Sequence, residues 1–293
     1  MRAAEKRQQA GRVLATAVVS GLLLAGLVLG AAGCPDNGVV GPDAADDAAT
    51  PLPDAMPLCQ GNNDGIITVD EMPMVPGITV DYLVNAPGTS VGVQPSGTID
   101  GGGDRIWDFT DTSGEVFAIT LETIWGRWFE SDFADAHYVS GLAPGNDTLG
   151  VYRATGDAIW LLGYASPQPD VTLAVYDDPV PLIRFPISEG QSWAVVAHIT
   201  NAVYDGQPFA STDTYNISVD QRGTLDLPYL SLHNTLRLRV DVTQSLPGGQ
   251  TIHRYQLLYL HECYGELGRI VSTDNEVDPN FTTAAEFRRL ALP

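Results

Sequence analysis

From Gly77 onward the apolar residues recur with a period of two, not 3.6. Leu236, Leu238, Val240 and Val242 share one face of a stretch whose other face carries Arg237, Arg239, Asp241 and Thr243. Tyr215, Ile217 and Val219 alternate with Asn216, Ser218 and Asp220, and Phe117, Ile119 and Leu121 continue the pattern toward Trp125. Such alternation predicts half-buried β-strands. Turn signals separate them: Asp100-Gly101-Gly102-Gly103, Pro144-Gly145-Asn146-Asp147, Glu189-Gly190 and Pro247-Gly248-Gly249. Residues 158–163 and 193–199 are apolar on both faces and are expected at the centre of a sheet. Residues 129–136 suit one helical turn, and residues 282–290 a terminal helix or strand. About a dozen strands and no long helix define an all-β fold, either an antiparallel sandwich or a curved half-barrel sheet. All-β chains commonly run to 200–250 residues as one unit, so residues 59–293 are expected to form a single all-β domain. The prolines clustered in residues 166–181 mark the alternative division. No repeat of fixed period is present, which disfavours a propeller or solenoid.

The N-terminus follows a different rule. Residues 13–34 are uncharged and apolar and end in small residues. Arg2, Lys6, Arg7 and Arg12 precede them, with Glu5 as the single acid. A basic start, an apolar middle and a small-residue end predict a signal peptide over residues 1–33. A segment of this length also suffices to span a bilayer, but Gly26, Gly30 and Gly33 favour processing over a packed helix. The closing Ala31-Ala32-Gly33-Cys34 resembles a bacterial lipobox, with Ala31 where leucine is usual. That resemblance implies lipid on Cys34 as the first mature residue. It also implies an exported protein anchored in the bacterial cell envelope, with the outer membrane ahead of the inner. Residues 34–58 are rich in proline, aspartate and alanine and lack any basic residue, the composition of a disordered tether. Such a chain spans roughly 27 Å on average and roughly 75 Å when fully extended.

Charge narrows the chemistry. Removing the signal leaves 11 basic residues against 35 acids, a formal charge of −24. Lys6 is the only lysine, so the mature chain has no Schiff-base, phosphate-loop or Ser-Lys chemistry. The acidity argues against nucleic acid, which needs basic patches to displace counterions; divalent cations suit such a surface better. With Cys34 lipidated, Cys59 and Cys263 remain as an expected disulfide in an oxidising compartment. The alternative is two buried free thiols.

Within residues 59–73, CQGNNDGIITVDEMP, the spacing resembles the twelve-residue EF-hand calcium loop. Gln60, Asn62 and Asp64 fall on positions 1, 3 and 5, Gly65 on the sharp turn, Ile66 on the carbonyl ligand and Glu71 on the bidentate twelfth position. The resemblance implies a weak structural calcium site. Gln60 replaces the usual aspartate, and Pro57, Pro73 and Pro76 disfavour flanking helices. The competing reading is an Asn-Asp-Gly turn joining short strands.

Other clusters point more weakly. There is no G-x-S-x-G, H-E-x-x-H, Walker or Rossmann pattern. His261-Glu262-Cys263 is metal-like in composition, yet on a strand its members alternate faces, and a structural histidine is the better reading. Asp100, Asp104, Asp108, Asp111 and Glu115 flank Trp107 and Phe109, which fits a core tryptophan between two Asp/Gly turns better than a calcium or sugar site. Glu130, Asp132 and Asp135 are close in sequence, but paired-carboxylate chemistry needs a defined separation across a cleft. Trp125, Trp128, Trp160 and Trp193 suit core or rim positions better than an apolar cavity lining.

The tether, the loop of residues 59–73, RIWDFTD and YDDPVPLIRFPISEGQSW together resemble envelope lipoproteins and secreted β-proteins of the myxobacterial kind. That group implies location and architecture but no activity. Residues 182–193 resemble half-barrel lipid carriers of the envelope at the level of fold alone. The leading expectation is a lipid-anchored, non-enzymatic envelope β-protein acting as a binding or structural module. The alternatives are a carrier of an apolar ligand in a curved-sheet cavity and a hydrolase with an unlocated Asp/His site.

Overall fold

The computed structural model describes residues 59–291; the segments expected to be a signal peptide and a tether, with Cys34 between them, lie outside them. The described chain forms strands β1 (Ile66–Ile67), β2 (Thr79–Val84), β3 (Val91–Gly92), β4 (Thr98–Ile99), β5 (Arg105–Asp108), β6 (Glu115–Thr120), β7 (Glu122–Thr123), β8 (Tyr138–Gly141) and β9 (Leu149–Ala154). It continues with β10 (Ala158–Ala165), β11 (Leu173–Arg184), β12 (Ile187–Ser188), β13 (Ser192–Tyr204), β14 (Gln207–Leu227), β15 (Leu230–Ser245), β16 (Thr251–His261), β17 (Gly265–Ser272) and β18 (Thr283–Leu290). Two single 3₁₀ turns, Val69–Glu71 and Glu130–Asp132, are the only helical elements among the described residues. Of residues 282–290, Thr283–Leu290 are therefore a strand, and residues 129–136 do contain a single turn.

One curved antiparallel sheet carries the fold, in the order β6-β2-β18-β17-β16-β15-β14-β13-β11-β10-β9-β8-β7. Its first and last members are consecutive in the chain, with only Leu121 between them. The Leu121 carbonyl accepts from Gly77 N–H at 2.7 Å and its N–H donates to Ile78 at 3.2 Å, beside β2. The next residue, Glu122, pairs with Val139 in β8. A single bent strand thus leaves one end of the sheet and joins the other, and the sheet nearly closes. The predicted all-β curved sheet is what forms.

Residues directly opposite one another on paired strands share a face. One inner row runs Val219–Leu238–Leu258–Arg269–Arg288–Val84 across six strands. The alternation predicted for Tyr215, Ile217 and Val219, and for Leu236 to Val242, is this inner face; these side chains are all buried. The interior also takes in charge. Glu266 Oε2 accepts from Arg269 Nη2 at 2.6 Å, and Arg288 Nη2 lies 2.7 Å from Glu286. Burial pushes the Glu266 carboxyl above its ordinary range, an effect the two arginines partly offset. Nearby, the hydroxyls of Tyr164, Tyr176 and Tyr215 lie within 3.3 Å of one another, and Tyr176 donates to Asp213 Oδ2 at 2.6 Å. Tyr82, Tyr152, Tyr164, Arg269 and Arg288 are each 0% exposed. At that exposure their side chains, not solvent, fill the space they line.

The outer face is covered in part. β5 pairs in parallel with residues 224–226 of β14, and its Trp107 packs edge-on against Tyr259 at 5.0 Å. The Pro95 carbonyl accepts from Trp107 Nε1, Tyr259 Oη and Arg237 Nη1. Arg237, which shares the polar face of its strand, is consequently fully buried, with a bidentate bond to Asp220 at 2.9 and 2.8 Å. Gly223 is required here: a Cβ would sit 2.6 Å from the Arg105 carbonyl. A second cluster, around Phe129, Phe133, Val151 and Leu162, packs residues 124–136 against β8 to β10. Residues 193–199, expected to be covered on both faces, are covered on one; Val196 is 48% exposed.

Asp213 makes a pH prediction. Burial raises its carboxyl above the ordinary range, against the pull of the hydrogen bond from Tyr176. A raised folded value favours the protonated form in the fold. Its stabilisation is complete below the unfolded value near 4 and is lost as pH rises through the folded value. Asp213→Asn, which cannot ionise, is expected to fall less in melting temperature than wild type between pH 5 and pH 8. Equal pH dependence in the two proteins would contradict this.

Candidate ligand groove beside the Cys59–Cys263 staple

Cys59 and Cys263 are joined across 204 residues, with their Cα atoms 5.5 Å apart. Cys263 occupies the turn between β16 and β17 at φ +64°, and its N–H donates to the Glu71 carbonyl at 2.7 Å. Beside it, Glu262 is buried and accepts the N–H groups of Asn63 at 2.6 Å and Gly65 at 3.3 Å. Asn234 Nδ2 donates to the Asn63 carbonyl at 2.9 Å. Two separate parts of the sheet's end, the β16–β17 turn and β15, therefore hold this loop. Gly65, at φ +80°, lies over Arg222, where a Cβ would come within 2.9 Å of Nη1.

The calcium-loop residues fall as follows. Asn62 Nδ2 donates to Asp64 Oδ2 and Asp64 N–H donates back to Asn62 Oδ1, both at 2.9 Å. Asp64 Oδ1 also accepts from Ile66 N–H at 2.7 Å. Ile66 pairs with Ser188 in the β1–β12 ladder, and Gln60 is exposed. Glu71 Oε2 accepts from Thr68 N–H at 2.9 Å and Thr68 Oγ at 2.8 Å, a capping box on the 3₁₀ turn. Asn62 and Asp64 are thus brought together, while the Glu71 carboxylate is turned toward Thr68. Coordination through Glu71 Oε2 requires exchange of those bonds for the cation.

Arg222 links the loop to a groove of about 500 Å³. Its floor is the bulged part of β14; the register with β15 shifts between Val219 and Gln221 and again between Gly223 and Leu225. Bulges re-aim side chains and recur beside functional sites. One wall is β4, with Ile99 58% exposed, and the 100–104 turn. That turn is locked by Asp100 Oδ1, which accepts the N–H groups of Gly102 and Asp104 at 2.8 Å each. Opposite stand Glu189, whose Oε2 is 3.9 Å from Arg222 Nε, and the pair Thr224–His233 at 2.9 Å. Asp220, also at the groove, is occupied by Arg237 and Arg239, each at 2.8 Å.

The remaining candidates lie as follows. His261 ends β16 with its ring nitrogens 2.8 and 2.9 Å from the carbonyls of Glu262 and His233. Trp107 is fully buried between the turns that carry Asp100 and Asp111. Asp108 and Asp111 close short turns, and hydrogen bonds from Thr110 and Ser113 hold their carboxyls below the ordinary range. Glu130 and Asp132 lie in the second 3₁₀ turn, and Asp135 faces Arg153 at 3.4 Å. Trp125 is 83% exposed, while Trp128 and Trp193 are half-buried and donate to the Ser166 and Pro181 carbonyls. Among the described residues, no three His, Cys, Asp or Glu side chains are grouped to hold a metal ion. Sequence reasoning missed Asn234, Arg222 and Glu189, and named Glu262 only within the metal-like triplet at residues 261–263. Glu262 alone carried a signal: once Cys263 is paired with Cys59, its neighbour must lie beside the loop. No family model, curated protein or solved structure matches the chain.

Proposed function

We propose that the chain is a lipid-anchored, non-enzymatic β-protein of the bacterial envelope, displayed on a tether as a binding module. The observation that carries this reading is the Cys59–Cys263 bond at the point where the tether meets the sheet. A disulfide suits an oxidising compartment, so it supports export. It also supports display, because tension on the N-terminus passes covalently into the β16–β17 turn. The groove beside it supplies the binding surface. The carrier alternative needs an interior cavity, and buried side chains weigh against one.

In this reading Cys34 carries the lipid and the membrane is a partner through it. Cys34→Ser is expected to lose fatty-acid labelling and either to leave the membrane fraction or to accumulate as precursor. Mature protein with unchanged labelling would overturn the anchor.

Calcium enters as a structural supplement, with Asn62, Asp64, the Ile66 carbonyl and Glu71 as ligands and Gln60 as a neutral first position. One missing charge and a committed Glu71 place the affinity in the weak extracellular range of about 10⁻⁴–10⁻³ M. Calorimetry with calcium is expected to show binding by wild type and its loss in Glu71→Gln. No heat at millimolar calcium, or equal binding by both proteins, would leave the segment a plain turn.

A further inference from the structure

We infer that the groove over the bulge of β14 is a binding site for a neutral, hydroxyl-rich saccharide. This rests on the binding-module reading and names its ligand class. The volume of about 500 Å³ lies within the usual range for small-molecule sites.

The lining selects the chemistry. Planar groups stand around the groove: the Asp104 and Glu189 carboxylates, the Arg222 guanidinium, the Asn234 amide and the His233 ring. Such groups pair with vicinal hydroxyls, which donate and accept together. Ile99, 58% exposed in the same wall, offers an apolar patch for the C–H face of a sugar ring.

Charge disfavours the competitors. Arg222 faces Glu189, Asp220 holds Arg237 and Arg239, and Arg105 donates to the neutral Ser96 carbonyl. The lining sets three carboxylates, Asp104, Glu189 and Asp220, against two guanidiniums, Arg105 and Arg222, so no net positive charge selects a phosphate or carboxylate. The chain's net charge of −21 further repels anionic polymers. Nor do grouped acidic side chains mark a divalent-cation site.

The walls are also preformed. The disulfide, Glu262 and Asn234 fix the loop that seats Arg222, and Asp100 fixes the opposite turn. A site held this way spends little binding energy on ordering itself, which a weakly gripped polar ligand requires.

The test uses the full chain in a non-glycosidic detergent. Calorimetry and NMR titration take maltotetraose, cellotetraose, mannotetraose and chitotetraose as neutral probes, with a tetragalacturonate as the acidic one. Binding of at least one neutral probe is expected, weakened about tenfold or more, roughly 1.4 kcal/mol, by Ile99→Ser and by Arg222→Gln. Both variants must keep the wild-type melting temperature. Because Arg222 packs beneath Gly65, Ile99→Ser decides the matter if Arg222→Gln is destabilised. Binding of tetragalacturonate alone, lost in Ile99→Ser, would overturn the neutral-saccharide assignment while leaving the groove as a binding site. Failure of every probe at about 10 mM would likewise overturn the saccharide assignment. Saccharide binding that neither variant changes would remove the groove itself from the binding-module reading.

Discussion

The structure depends on the return of the chain through Leu121, which makes one bent strand serve both ends of a thirteen-strand path. A sheet with two free ends exposes unpaired backbone groups and invites edge pairing. Here β6 pairs with β2, and β7, immediately after it, pairs with β8. That near-closure gives the inner face an enclosed interior. Enclosure then dictates composition: a charge inside must have its counter-charge inside. Arg269 and Arg288 lie in one register row, with Glu266 and Glu286 beside them. Removing one partner of such a pair leaves an uncompensated buried charge, costing about 3–5 kcal/mol. Uncharged tyrosines fill much of the adjoining space, and their hydroxyls bond to one another and to Asp213 Oδ2.

The outer layer follows from the same sheet. β14 is 21 residues long and serves three partners: β13 at its beginning, β15 along its length and β5 near its end. Of its two bulges, the first precedes the third partner and the second lies where that partner arrives. They seat Trp107 over Gly223 and turn Arg222 toward the Cys59 loop. The ligand groove is therefore a consequence of packing β5 on a bulged strand, closed at one end by the disulfide-held loop. Its position beside Cys59 sets it close to where the described chain begins.

Periodicity made the inner face legible. Leu236, Leu238, Val240 and Val242 alternate because that strand has one face inside, and the structure buries all four. Periodicity cannot report what covers the other face. Arg237 reads as solvent-facing and is buried, because Pro95, 142 residues away, supplies a carbonyl above it. Val196 reads as covered and is half exposed, since a small branched residue suits a strand whether or not anything packs on it. The cysteine pair was legible by counting. The groove was not, because residues 99, 104, 189, 222, 233 and 234 meet only through the bulges of β14 and the folding of the outer layer.

If the enclosed interior is filled by its own side chains, the protein has no room to carry an apolar guest. Native mass spectrometry of the chain purified from the cells that produce it tests this directly. The account predicts the polypeptide with its anchor lipid and nothing further that is apolar. A second lipid or other apolar molecule retained in stoichiometric amount would contradict it.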